Sequence, residues 1–432
     1  MKTILLSCLL FLSFSMLSAQ DIKVVKKSLD ANQLDKAKTD IDAYLQKKPN
    51  DPEGLYYKSK IYGSIATNEQ FKSLAPDGKE VAFDAFKKSV ELDKDNKVML
   101  VMIQDKYKPI FDLYTGYYDA GIKEFNSAAS TKNKAYFDSA MNNFIKANEV
   151  GSYIYSKQWA LSSIDTPLVL NIGKAALNAE NKEKALFYFK KIADSNIVRT
   201  KEDADGYELA YQWLALYYRD AKDDANFLKY ASLGKQNFPK SDYFDAVMLD
   251  YYRAGKKYDS LFKKYQEVVT KFPYTVKYHF NYANEIFNYV YNSDAGTKVA
   301  NKEELLKTVG SELEKAMSLS PEDLTTNWLY GQFYYNAGVD LRDKALAIKS
   351  TKPEDIKTKG ELNAQAKASY AKAIPFAEKA LAGLEAGFKK SERSRYKSVA
   401  DLLQRIYEGT GQPDKVKLYQ QKYDAADAKF VN

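Results

Sequence analysis

Apolar residues along this chain recur three, four and seven positions apart. Tyr211, Leu214, Ala215 and Tyr218 form one such group, and Val169, Ile172, Gly173 and Ala176 another. That period places them on one face of an α-helix, and the polar positions between them fall on the other. No run of strict alternation competes, so a β-sheet is not expected. Prolines punctuate the pattern. Asn237-Phe238-Pro239 and Lys271-Phe272-Pro273 each end a helical stretch, and the two prolines stand 34 residues apart. Proline lacks the N–H that would continue a helix, so it marks a stop.

The same frame repeats elsewhere. Asn32 to Ala37 reads as a turn opening a helix that ends at Pro49, and Leu55 to Tyr62 begins the next helix. Ala82-x3-Phe86, Ala140-x3-Phe144, Ala185-x3-Phe189 and Phe227-x3-Ala231 read as second helices of successive pairs. Tyr282-Ala283-x2-Ile286 pairs with Ala316 and Pro321, and Tyr330-Gly331-x2-Tyr334 with Ala373-x3-Ala377. Leu403-Gln404-x2-Tyr407 and Gly411 to Val416 close the series.

A bulky residue, x2, Leu, a small residue, x2, Tyr, followed by Ala-x3-aromatic and Pro, resembles the tetratricopeptide repeat. In its helix A the small residue lets helix B approach closely. The resemblance implies an all-α, right-handed α-solenoid of about eight or nine helix pairs over residues 20–432. Insertions are expected near 63–80, 289–303 and 337–365. Three positions depart from the pattern: Leu261 replaces a helix-B Ala, Asp245 takes a normally bulky position, and Pro375 lies inside a helix B.

Composition adds two constraints. The chain has 432 residues, a formal charge of +8, one His and one Cys. Lys2 and the apolar run from Ile4 to Leu17 read as a signal peptide cleaved near Ala19, because the run is too short to span a bilayer. Residues 1–19 are then leader, and Cys8 leaves with them. The mature chain would carry 64 − 57 = +7 and no cysteine. Its charges are interspersed, which argues against a nucleic-acid partner. No later segment is apolar enough for membrane insertion. The expected location is periplasmic, with secretion or envelope association as alternatives.

Candidate chemistry is sparse. Without cysteine, and with only His279, the mature chain cannot assemble a His/Cys zinc site or a cysteine nucleophile. His279 falls at a packing position. Gly116-x4-Gly121 is followed by Ile122-Lys123 rather than Lys-Ser/Thr and follows no strand, so it is not a phosphate loop. Asp203-x-Asp205-Gly206 lacks the first and twelfth ligands of a calcium loop, which are Lys201 and Gln212 here. No enzyme activity, cofactor or metal is expected.

Chaperone-binding members of the tetratricopeptide family hold a C-terminal carboxylate with Lys and Asn at the fifth and ninth positions of a helix A. Here those positions read Leu170/Lys174, Gln212/Leu216, Ala246/Asp250, Phe280/Asn284 and Trp328/Gln332. No unit carries the Lys/Asn pair, so that activity is not implied. Aromatic and amide residues collect instead at Phe280, Asn284, Phe287, Trp328, Gln332 and Tyr335. They are the candidate groove of a non-enzymatic scaffold that binds a partner peptide or helix. The alternative is a glycan-binding module. Starch-binding outer-membrane lipoproteins also combine such repeats with aromatic platforms, but Gln20-Asp21-Ile22 lacks their lipidated cysteine. Neither partner identity nor oligomeric state is legible.

Overall fold

The structure is a computed structural model. It describes residues 21–159, 165–197, 204–292, 299, 301–386 and 389–430. The leader assignment at 1–19 and part of the insertion at 289–303 lie outside those residues.

The described residues hold α-helices and two short 3-10 turns. In chain order the helices are α1 (Ile22–Asp30), α2 (Leu34–Lys47), α3 (Pro52–Thr67), α4 (Gly78–Leu92), α5 (Lys97–Gln104), α6 (Lys108–Thr131), α7 (Lys134–Ser156), α8 (Thr166–Asn178), α9 (Lys182–Asp194) and α10 (Ala204–Asp220). They continue as α11 (Asp224–Asn237), α12 (Tyr243–Ala254), α13 (Tyr258–Lys271), α14 (Val276–Tyr291), α15 (Lys302–Leu319), α16 (Leu324–Ala347), α17 (Pro353–Glu385), α18 (Arg393–Thr410) and α19 (Pro413–Lys429). Among the described residues, all but α5 alternate as helices A and B of nine successive pairs, and most A helices start further apart than 34 residues.

One turn recurs between A and B. Asn32, Glu180, Lys222, Lys256 and Gly411 all have positive φ, from 51° to 77°. In each case helix B begins two residues later. The residue after each donates its N–H five positions back, as Gln33 does to Ser28, Asn181 to Ala176, Asp223 to Tyr218, Lys257 to Tyr252 and Gln412 to Tyr407, at 2.8–3.0 Å. This is the left-handed cap that satisfies the last helix carbonyls. Helix starts are also specified. Asp51, Asp165, Asp223 and Asp323 each accept an N–H from three residues on. Such caps are worth about 1 kcal/mol each.

The chain divides into two compact units, one ending at Phe244 and the other beginning at Asp245. In the first, α1 to α11 pack on their sequence neighbours around one core, with Phe86, Phe144, Phe189 and Tyr211 fully buried. Gly173 sits on α8 where a Cβ would lie 2.5 Å from the Phe189 ring of α9. Gly121 stands in the same relation to Phe144, also 2.5 Å. These are close approaches of helix B to helix A, as the small-residue position implies. Gly121 is thus a packing residue.

In the second unit, one core gathers residues of α12 to α16 and another gathers α17 to α19. Residues 337–365 are mostly helical: α16 runs on to Ala347 and α17 begins at Pro353, so the insertion lengthens both members of a pair. Pro375 lies within α17 on an exposed position, where the missing hydrogen bond faces water. Asp245 is 1% exposed and is held by Lys271 at 3.0 Å and Lys264 at 3.5 Å. A buried carboxylate with two lysines fills the place of the usual bulky side chain. Leu261 is fully buried in the core of α12–α16.

The abundant tyrosines serve a recurring contact. A ring packs in the core while its hydroxyl reaches a carboxylate that often also binds lysine. Tyr56 and Lys60 donate to Asp105 at 2.7 and 2.8 Å. Tyr230 and Lys229 donate to Asp194 at 3.0 and 2.8 Å. Tyr291 and Lys302 bind Asp340, and Tyr396 and Lys422 bind Glu385. Tyr407 and Tyr419 stack at 5.4 Å and both donate to Glu378 at 2.7 Å.

Candidate interaction surface

Two A helices of the second unit, α14 and α16, carry the sequence-derived candidates, and they touch each other directly. Thr275 precedes α14, and Asp323 caps α16 by accepting from the Thr326 N–H at 2.7 Å. On α14, Tyr282, Ala283 and Ile286 turn into the core, which fixes the rotation of the helix. Phe280 and Asn284 are then half-buried. Phe287 is only 4% exposed, and its ring lies 5.0 Å from Tyr291. It is a core residue with little surface to offer a ligand.

On α16, Leu329 and Tyr330 are buried, and Trp328, Gln332 and Tyr335 are half-buried. Trp328 and Tyr335 pack against the α17–α19 core, whereas Phe280 and Phe287 belong with the α12–α16 core. The candidates are therefore gathered on neighbouring helices but rest on different cores. The Trp328 indole nitrogen is buried and makes no protein hydrogen bond. The Tyr335 ring lies 5.6 Å from Tyr370. Asn284 and Gln332 have no hydrogen-bond partner among the described residues, so both amides remain open to solvent or to a ligand.

Sequence reasoning missed the arginines beside this stripe. The Arg395 guanidinium lies 5.9 Å over the Trp328 ring and pairs with Glu392 at 3.1 Å. Arg405 interacts with Tyr335 and pairs with Asp401 at 3.0 Å. Its hydrogen bond to Asp401 holds its pKa above the usual value. A signal was present: only seven of the 65 basic residues are arginine, and four of those fall between 342 and 405. Their convergence on α16 needed the packing of α18.

His279 is 5% exposed. Its Nδ1 lies 2.6 Å from Glu312 and its Nε2 donates to the Pro273 carbonyl at 3.1 Å. It ties the turn before α14 to α15, a packing role. Among the described residues no three His, Cys, Asp or Glu side chains gather to hold a metal ion. No described helix is long and apolar enough to cross a membrane. The stripe offers aromatic faces, amide donors and acceptors, and two paired guanidinium groups. Such groups bind; none is an activated nucleophile.

The fold defines the class: the described residues form an all-α array of tetratricopeptide-like helix pairs. No family profile matches the chain, and no curated protein is similar to it. Among solved structures it is similar to a human IFIT1 dimer with PPP-AAAA, at 14% identity over 86% of this chain and 94% of that one, with a TM-score of 0.23. It is also similar to yeast Tom70, at 13% identity over 96% of each chain, with a TM-score of 0.24. A circular tandem repeat protein aligns at 10% identity over 97% of this chain and 90% of that chain, with a TM-score of 0.16. At those scores the likenesses carry no weight for function.

Proposed function

We propose that the protein is a non-enzymatic, exported scaffold of a bacterial envelope, located in the periplasm, that binds a peptide or helix of a partner protein across α14 and α16. The observation that carries this reading is the pair of half-buried, unpartnered amides, Asn284 and Gln332, set beside Phe280, Trp328 and Tyr335. Amides of this kind satisfy a peptide backbone, and flanking aromatics supply contact area at low entropic cost. The leader sequence supports export.

The test places a photo-crosslinking amino acid at 284 or 332 in the expressed full-length protein, with position 240 as a control. Crosslinks to one protein species from 284 and 332, and none from 240, support the reading. Equal crosslinking from 240 overturns the surface. Retention on polysaccharide resins with no protein crosslink would favour glycan binding.

A further inference from the structure

The connection between α16 and α17 is an end of the second unit that the helix pairing does not use. At its base, Lys302 and Glu303 of α15 bind Asp340 and Lys344 at 2.8 and 3.5 Å. From there to Gly360 the side-chain ion pairs and hydrogen bonds among the described residues are local, such as Thr358 to Glu354 and Lys357 to Glu361. Large aliphatic side chains face water within one helical turn of the connection. Leu346, one residue from the end of α16, is 53% exposed. Ile356, three residues into α17, is 56% exposed. Ile348, in the connection itself, is half-buried.

Lysines surround these side chains. Residues 342–359 carry six basic residues against three acidic ones, a net +3. No acid lies between Asp343 and Glu354, and Lys344, Lys349 and Lys352 are exposed in that stretch. Neither Lys349 nor Lys352 pairs with a carboxylate among the described residues. Glu354 and Asp355 fall in the first turn of α17, where the helix dipole favours carboxylates and offsets part of their charge. Residue types then decide what suits this end. Protein interfaces are enriched in aromatic residues and arginine and depleted in lysine. Here no aromatic residue occurs from 336 to 369, in a chain that is 14% aromatic, and five of the six cations are lysine. Aliphatic side chains ringed by lysine fit a lipid surface instead. The methylene stem of each lysine lies along the apolar boundary while its ammonium reaches an anionic headgroup.

We propose that the α16–α17 end docks on a membrane surface rich in anionic phospholipid, with Leu346, Ile348 and Ile356 among the headgroups and Lys349 and Lys352 against their phosphates. The contact is peripheral and reversible. It combines a small apolar area with a basic patch, two signals that are each weak alone. It is no span, since no described helix is long and apolar enough to cross a bilayer. The inference is independent of the peptide-binding reading, because a lipid vesicle offers no protein partner.

The test sediments the chain from Gln20 to Asn432 with sucrose-loaded vesicles, so that the apolar leader contributes nothing. The vesicles are phosphatidylcholine alone, or phosphatidylcholine with roughly one-third phosphatidylglycerol. Binding should be at least ~10-fold stronger on the anionic vesicles and should vanish in about 0.5 M salt. Lys349→Glu with Lys352→Glu should weaken it at least ~20-fold, since each lysine near such a surface contributes about fivefold. Leu346→Ser with Ile356→Ser should weaken it ~10-fold at an unchanged melting temperature, because both side chains are exposed. Leu100→Ser with Ile103→Ser removes two comparably exposed aliphatic side chains of α5 and should leave binding as it is. Equal binding to neutral vesicles, or full binding by the lysine double variant, overturns the proposal. Loss of binding in the α5 variant overturns its placement. No vesicle binding, with photo-crosslinking from position 349 to another protein or to a second copy of this chain, overturns the lipid assignment.

Discussion

Two glycines of the second unit should respond to the same substitution with opposite signs. Gly338 lies within α16, where an added Cβ would stand 2.5 and 2.7 Å from the Tyr370 ring and 3.1 Å from the Ala366 carbonyl oxygen. Tyr370 cannot move away. It is 3% exposed, and Gly409 of α18 meets its ring at 2.5 Å in the same sense. Overpacking of that kind costs about 1–3 kcal/mol. Replacing a helical glycine by alanine returns about 1 kcal/mol of helix propensity. Gly338→Ala should therefore lose up to roughly 2 kcal/mol in net. Gly360 lies in the exposed first half of α17, with no atom within 4 Å of an added Cβ. Only the propensity gain applies, so Gly360→Ala should stabilise by about 0.5–1 kcal/mol. Urea unfolding of each full-length variant, followed by far-ultraviolet circular dichroism, gives both signs within one unit. Stabilisation by Gly338→Ala would refute the close helix packing. Destabilisation by Gly360→Ala would refute the exposed helical extension.

Glu378→Ala removes the acceptor shared by Tyr407 and Tyr419, leaves two mostly buried hydroxyls unpaired, and should cost about 2–4 kcal/mol in the same urea assay. Acid should destabilise the protein. Burial favours the neutral form of Asp105, Asp194 and Glu385, but hydrogen bonds from lysine and tyrosine outweigh it and hold each pKa below the ordinary value. Their contribution is complete above the unfolded pKa, near 4, and falls as pH drops through the folded values. Alkali should act from the other side. Burial and a carboxylate acceptor push Tyr44, Tyr62 and Tyr230 up to about 12, so their contribution is full below pH 10 and is lost between about 10 and 12. A melting temperature unchanged between pH 7 and pH 3 would count against the carboxylate contacts. Trp328→Ala should cost about 2 kcal/mol of stability, as a half-buried indole does, and weaken partner binding about thirtyfold. A stability loss above about 4 kcal/mol would mark Trp328 as a core residue and remove it from the surface.

Much of the fold was legible because helix pairing is local. The spacing of Tyr211, Leu214, Ala215 and Tyr218 defines one face, and Pro239 and Pro273 mark the ends. The A–B turn was less visible, since its left-handed residue is Glu180, Lys222 or Lys256, side chains that carry no turn signature. The 337–365 segment was read as an interruption because its polar residues break the apolar period. It is helical with exposed flanks, where packing does not dictate residue type. Phe287 shows a related limit. Its position in the frame is one that faces outward in the repeat, but Tyr291 and the α12–α16 core enclose it. The arginines beside Trp328 and Tyr335 come from a helix more than 50 residues on, and no local pattern registers that proximity.

The central claim is that each helix pair is held by its neighbours along the chain. Deleting residues 393–432 removes α18 and α19, and with them Leu403, Ile406 and Phe430, all fully buried. Their partners on α17, Ala377, Leu381 and Leu384, are then exposed. Each lost large apolar contact is worth about 1.5–3 kcal/mol at most. Amide hydrogen exchange on the truncated chain measures the consequence segment by segment. Protection should fall most in α17, less in α16, and not at all across residues 22–237, whose core is separate. Unchanged protection in α17, or an equal loss across residues 22–237, would contradict the account.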